Sequence, residues 1–258
     1  MKGVAEQPEA TLQEAEVRTG APVSVRRPST WAHYRALVKK DLLHEMHTRD
    51  MLTSMGLYAL LVLVVYGAAL AQAGTSLDIQ QMAGGLLWAV VLFTSLLGLN
   101  RSFSHETADG CLDGLMLVPM DRSVLFLSKA TANLVFLLIV EVIVVPLFFF
   151  FFLGTVGAAP SWPLLLAVLA VGTVGIAGVG TLLSTITVNT RGRDVMLAVL
   201  FIPLSFPLLW SCVSAATAVL IGAEGFMDTF TMSMALAGGY DVVMILVSWV
   251  LYDFVVSA

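Results

Sequence analysis

Six runs of nearly unbroken apolar residues, each about as long as the hydrocarbon core of a bilayer requires for a helix (~20 residues), divide this chain. They are Met51–Ala71, Met82–Leu99, Ala130–Leu153, Trp162–Thr187, Val195–Ile221 and Ala235–Phe254. With 58% hydrophobic and only 12% charged residues, the chain carries about half the charge of an average soluble domain (~25%). Lipid removes water as a partner for the backbone, so spanning segments must be helices or closed barrels. Runs of this length predict helices. The fold class expected is an all-α membrane protein with six transmembrane helices.

The thirteen Lys and Arg residues set the expected orientation. Lys2, Arg18, Arg26, Arg27, Arg35, Lys39, Lys40 and Arg49 precede the first run. Arg101, Arg122 and Lys129 fall between the second and third, and Arg191 and Arg193 between the fourth and fifth. The other connections and the C-terminal tail have none. Positive residues are retained on the cytoplasmic side, which predicts both termini inside, a parity that six spans satisfy. No cleavable signal peptide is expected, because the first 30 residues lack an apolar core. Residues 1–30, polar and with Pro8, Pro22 and Pro28, read as a disordered cytoplasmic tail. Residues 31–258 then form a six-span domain.

Two segments outside the spans have helical patterning. In "WAHYRALVKKDLLHEMHTRDM", Trp31, Tyr34, Val38, Leu42 and Met46 recur at helical spacing, with Ser29 or Thr30 in capping position. A basic helix over 31–48 before a first span suits the cytoplasmic headgroup layer; packing on the protein's own cytoplasmic loops is the other reading. The second segment, 101–123, is "RSFSHETADGCLDGLMLVPMDRS". The second span is expected to run on to about Ala108. Asp109-Gly110 makes a turn, Leu112, Leu115 and Met116 form a stripe on a short helix, and Pro119 ends it. That stripe either seats in a groove of another cytoplasmic protein or folds back on the chain's own spans. "NTRGRD" (Asn189–Asp194) is only long enough for a turn.

The chemistry the chain lacks is informative. No G-x-x-x-x-G-K-[ST] phosphate loop occurs. "VGTVGIAGVGT" (Val171–Thr181) has no lysine, and its small residues suit close helix packing. Neither H-E-x-x-H nor G-x-S-x-G is present. His33, His44, His47 and His105 lie outside the apolar runs, so no imidazole is available in the membrane. Cys111 and Cys212 are poorly placed for a disulfide or a metal. No catalytic or metal-ligating set is expected. Glu141, in "LIVEVIVVP", is the notable intramembrane ionisable residue. Insertion of a carboxylate at mid-bilayer costs about 2.5–3.5 kcal/mol. Glu141 either makes an interhelical hydrogen bond near a helix loosened by Pro146 or lines a pathway. Asp241 and Asp253, in the last run, are weaker cases.

"LLWAVVLFTSLLGLNRSFSHETADGCLDGLMLVPMDRSVLFLSKATANLVFLLIVEVIVVPLF" (Leu86–Phe148) carries Trp88, Arg101 with Phe103, Asp109-Gly110, Leu115–Pro119 and Lys129. On these residues, and less specifically on "IPLSFPLLW" (Ile202–Trp210), the chain from about Trp31 onward resembles the CcmB, or haem exporter protein B, family of cytochrome c maturation permeases. The resemblance implies an ABC-2-type permease subunit in a bacterial inner membrane. Segment 31–48 would be its elbow helix, and 101–123 a coupling region that docks an ATPase through Asp109, Gly110, Leu112, Leu115, Met116 and Pro119. It also implies that ATP is bound by a separate cytoplasmic, CcmA-like subunit. The other expected partners are CcmC- and CcmD-like haem-handling membrane subunits, a periplasmic CcmE-like haem chaperone, the lipid bilayer, and a second six-span subunit (a second copy or another chain). Haem is the expected cargo, no cofactor is expected on this chain itself, and no nucleic acid is expected as a partner. A generic ABC-2 exporter of lipid or drug, and an assembly scaffold that uses no ATP, are the alternatives in function.

Overall fold

The computed structural model describes residues 30–73, 79–108, 122–152, 161–187, 190, 192–222 and 224–255. They form seven helices: α1 Thr30–Thr48, α2 Asp50–Ala73, α3 Ile79–Ala108, α4 Arg122–Phe152, α5 Trp162–Thr187, α6 Arg193–Ile221 and α7 Phe226–Val255. No strand occurs among the described residues. The last six are long and apolar enough to cross a membrane, so the six expected spans are present. Their ends run past the apolar windows: α3 continues through Arg101 to Ala108, as its polar but helical sequence indicated, and α7 starts nine residues before Ala235, at Phe226. The expected tail and the segment from Asp109 to Asp121 lie outside the described residues.

Short chemical devices set the boundaries. Between α1 and α2 the chain turns at Arg49, which has a left-handed φ of 55° and donates its amide to the Glu45 carbonyl at 2.7 Å. The buried Glu45 carboxylate then accepts the Leu52 amide at 2.8 Å. It thereby satisfies one of the donors that every helix start leaves open. At the other end of the bundle, Gly222 closes α6 with φ 62° and donates its amide hydrogen to the Ala218 carbonyl, a left-handed position that glycine fills without steric cost. Pro146 removes a donor from α4, yet the helix runs on to Phe152. The expected loosening does not interrupt the helix, as is common for proline in membrane helices.

Lateral packing is centred on α5 and α3. About two thirds of the hydrophobic windows of these two helices are buried (67% and 61%), against 17% for α2 and for α7. Hydrocarbon tails are as apolar as leucine, so helices in lipid associate through close van der Waals contact and polar bonds. Here the close contact comes from glycine. Gly172 lies against the Trp88 ring and the Cys212 sulfur, Gly175 against Asp241 and Leu208, and Gly180 against Leu99. The glycines of "VGTVGIAGVGT" thus seat α5 against α3, α6 and α7. Gly84 likewise admits Thr217 of α6, and Gly98 admits Met55 of α2. Trp88, Phe148, Phe201, Leu87 and Leu208 are fully buried between the helices, whereas Leu57, Val142, Phe150, Val199 and Trp210 point outward.

A side chain at Gly172 would collide with the Trp88 ring. Gly172→Leu is therefore expected to cost about 1–3 kcal/mol, the usual range for overpacking, and to lower the thermal unfolding midpoint in detergent. Gly56→Ala and Gly238→Ala, where an added methyl meets nothing, should leave that midpoint unchanged or slightly raised.

Candidate functional site at the basic end of the bundle

Hydrogen bonds and one ion pair gather the C-terminal ends of α3 and α5, the N-terminal ends of α4 and α6, and the length of α1. Ser102 of α3 donates to the Asn133 side-chain oxygen of α4 at 2.7 Å. The Asn133 amide donates to Thr181 of α5 at 3.0 Å, and Thr181 donates to the Ala177 carbonyl at 2.6 Å. Asn133 is fully buried and acts as both acceptor and donor, so one side chain ties three helices. Arg193, at the start of α6, donates to the Asn100 carbonyl of α3 at 2.5 Å.

The short α1 helix rests on α4. Lys129 and Asp41 form an ion pair at 2.9 Å, with only 6% and 11% of their side chains exposed. Tyr34 donates to the Thr131 hydroxyl at 3.0 Å. Leu37 packs on a small cluster of Leu125, Phe126 and Leu182, and Leu42 on the main core. Tyr34, Val38 and Leu42 are thus half-buried, while Trp31, Leu43 and Met46 face outward. Trp31 stacks on Tyr34 with ring centroids 5.2 Å apart. Of the two readings of 31–48, packing against the protein is directly visible, although the surface it uses is the start of a span rather than a loop. The outward Trp31, Leu43 and Met46 leave an apolar edge of the kind that lies in a headgroup layer.

These contacts place Arg35, Lys39, Lys40, Arg49, Arg101, Lys129 and Arg193 at one end of the bundle. Residues 109–121 connect two helices, α3 and α4, whose ends belong to this same collar. The predicted docking residues Asp109, Gly110, Leu112, Leu115, Met116 and Pro119 lie outside the described residues. Their anchoring points are described. Ser102 is six residues from the end of α3 and Lys129 seven from the start of α4.

Glu141 lies away from the collar, two turns beyond Asn133 on α4. It is buried, and its Oε1 is 2.5 Å from the Thr173 hydroxyl of α5. An interhelical hydrogen bond is therefore present. Glu141 also borders a small cleft between α2, α3 and α4 with Met55, Thr94, Ser95 and Leu137. Among the described residues, no three His, Cys, Asp or Glu side chains converge as a metal set would. The cleft, about 10 Å³, has room for about one water molecule.

The family model of CcmB protein matches residues 32–256, from the start of α1 to the end of α7. The chain belongs to the CcmB family. Among its relatives, heme exporter protein B of Paracoccus denitrificans is 31% identical over 159 residues, 62% of this chain and 70% of that protein. The protein of the same name from Rhodobacter capsulatus is 31% identical over 158 residues, 61% of this chain and 69% of its own length. The Escherichia coli K12 protein matches over a shorter stretch, 53 residues at 38% identity, covering 20% and 24% of the two chains. The resemblance read from Leu86–Phe148 is thus borne out.

Sequence reasoning singled out Lys129 as an orienting charge and as part of a family pattern, not as half of an ion pair, and it passed over Asp41, Ser102, Asn133, Thr173 and Thr181. Asn133 had a signal, an amide inside an otherwise apolar run. The serine and threonines had none, since such residues commonly bond to their own helix. Removing one partner of a buried ion pair costs about 3–5 kcal/mol. Lys129→Met should therefore strongly destabilise α1 against α4, read as faster proteolysis at the α1–α2 junction. The exchanged pair Asp41→Lys with Lys129→Asp should recover most of the loss.

Proposed function

We propose that this chain is the membrane subunit of an ABC-type haem export complex that serves cytochrome c biogenesis in a bacterial inner membrane. Family membership carries the proposal: the relatives with which the chain aligns are named heme exporter protein B. In this reading the basic end is cytoplasmic, as retention of Lys and Arg on that side requires. Residues 109–121 dock a separate ATPase subunit through Leu112, Leu115 and Met116. The absence of a phosphate loop from the sequence gives that subunit its role, because ATP must be hydrolysed on another chain. The haem-handling membrane subunits and the periplasmic haem chaperone are the neighbours on which the complex acts.

The collar suggests how force travels. A push on 109–121 reaches α3 and α4 together, because Ser102 and Asn133 join their ends. It reaches α5 through Thr181 and α1 through Lys129 and Asp41. The linked helices then tilt as a unit instead of bending singly. Mechanical work on neighbouring subunits, including release of the haem-loaded chaperone, suits this chain better than a haem conduit through it. Its histidines all lie outside the spans, and the cleft at Glu141 is far smaller than a haem.

Deletion of the gene should abolish covalent haem staining of membrane c-type cytochromes, and wild-type staining would favour export of another cargo. Leu115→Asp combined with Met116→Asp should reduce staining similarly while the protein still reaches the membrane. Full maturation with that double substitution would favour a passive scaffold.

A further inference from the structure

The surroundings of Glu141 include a proton count that does not close if the carboxyl is ionised. The Thr173 oxygen lies 2.5 Å from Glu141 Oε1 and 2.7 Å from the Leu169 carbonyl oxygen. A threonine hydroxyl has one proton, and a carbonyl oxygen can only accept. Both contacts are full two-centre hydrogen bonds only if Glu141 brings a proton of its own; otherwise the single Thr173 proton is shared between two acceptors. With that proton, Glu141 donates to Thr173, and Thr173 donates to Leu169. An ionised Glu141 would instead have a single donor among the described residues, at mid-membrane where charge is costly, and the cleft residues include no Lys, Arg or His.

The same cleft contains a second open account. Thr94 is 3% exposed, and its hydroxyl has no hydrogen-bond partner among the described residues. It borders the cleft together with Glu141 and Ser95. Ser95 donates its proton to the Val91 carbonyl at 2.6 Å and so presents only lone pairs to the cleft. The volume matches one water, and polar groups that could serve as two or three partners are present, the number an internal water needs. A hard cation such as Ca²⁺ would require six to eight oxygens, and Met55, Leu137, Val140 and Val144 line the rest.

We propose that the cleft between α2, α3 and α4 is a binding site for a single water molecule, which bridges the Thr94 hydroxyl and a protonated Glu141 carboxyl. Glu141 is then a neutral hydrogen-bond donor that holds the middle of α4 to the glycine face of α5. The water satisfies Thr94 and gives the carboxyl proton a route to exchange.

Infrared difference spectroscopy on the full chain in lipid nanodiscs tests this. Wild type minus Glu141→Gln should show a carboxylic acid C=O band that shifts in D2O, and Thr94→Val should displace that band. Thr173→Val, which leaves Glu141 in place, should move the band without removing it, so the test does not depend on one variant folding. A carboxylate stretch in place of the acid band would overturn the protonated donor. An acid band insensitive to Thr94→Val would overturn the water site, and a band that moves on adding Na⁺ would replace water with a cation.

Discussion

Helices in hydrocarbon gain little by hiding apolar surface from one another, so a membrane bundle must be held by close backbone approach and by polar bonds that lipid cannot offer. This chain uses the two in different places. Glycines 172, 175 and 180 bring α5 against Trp88, Asp241 and Leu99, which fixes the interior of the bundle. At the basic end, Ser102, Asn133, Thr181, Lys129 and Asp41 supply bonds that join four helices, α1, α3, α4 and α5. Gly180, against Leu99, brings α5 to α3 one residue before Thr181, at the level where the Asn133 side chain reaches both helices.

The α1 helix is more than a surface element in this arrangement. As an interfacial helix alone it would be an anchor, free of the bundle except through its link to α2. Instead Asp41 and Tyr34 fasten it to α4, and Glu45 caps the start of α2. The first span, which is the least embedded along with α7, is therefore connected to α4 through α1 at its basic end. This link at the basic end adds to the direct packing of α2 on α4. Glu141 contributes a second tie from α4, to α5, nearer the middle of the membrane.

Much of the fold was legible in the sequence because a bilayer imposes so few solutions. The lengths of six apolar runs gave the spans, the positions of Lys and Arg gave a common end, and the small residues of 171–181 gave the tightest packing face. The α1 helix was legible from Trp31, Tyr34, Val38, Leu42 and Met46, but its berth on α4 was not, since Asp41 reads as one more charge on a polar helix until Lys129 is seen beside it. Polar partners such as Ser102 and Thr181 are separated by 79 residues in sequence, and single serines and threonines in a span carry no mark of which neighbour they meet. Glu141 stood out by charge alone. Its partner Thr173, one residue from Gly172, was hidden in a run whose glycines had a sufficient explanation.

The account as a whole depends on residues 109–121 reaching a nucleotide-driven neighbour and transmitting its motion to α3 and α4. Photo-crosslinking from a reactive residue introduced at Leu115, in membranes that contain the complete complex, tests that most directly. The account predicts a covalent product with a cytoplasmic ATPase subunit whose yield changes between nucleotide-free and ATP-bound states. A product formed only within the chain itself, or with a protein on the opposite side of the membrane, would contradict it.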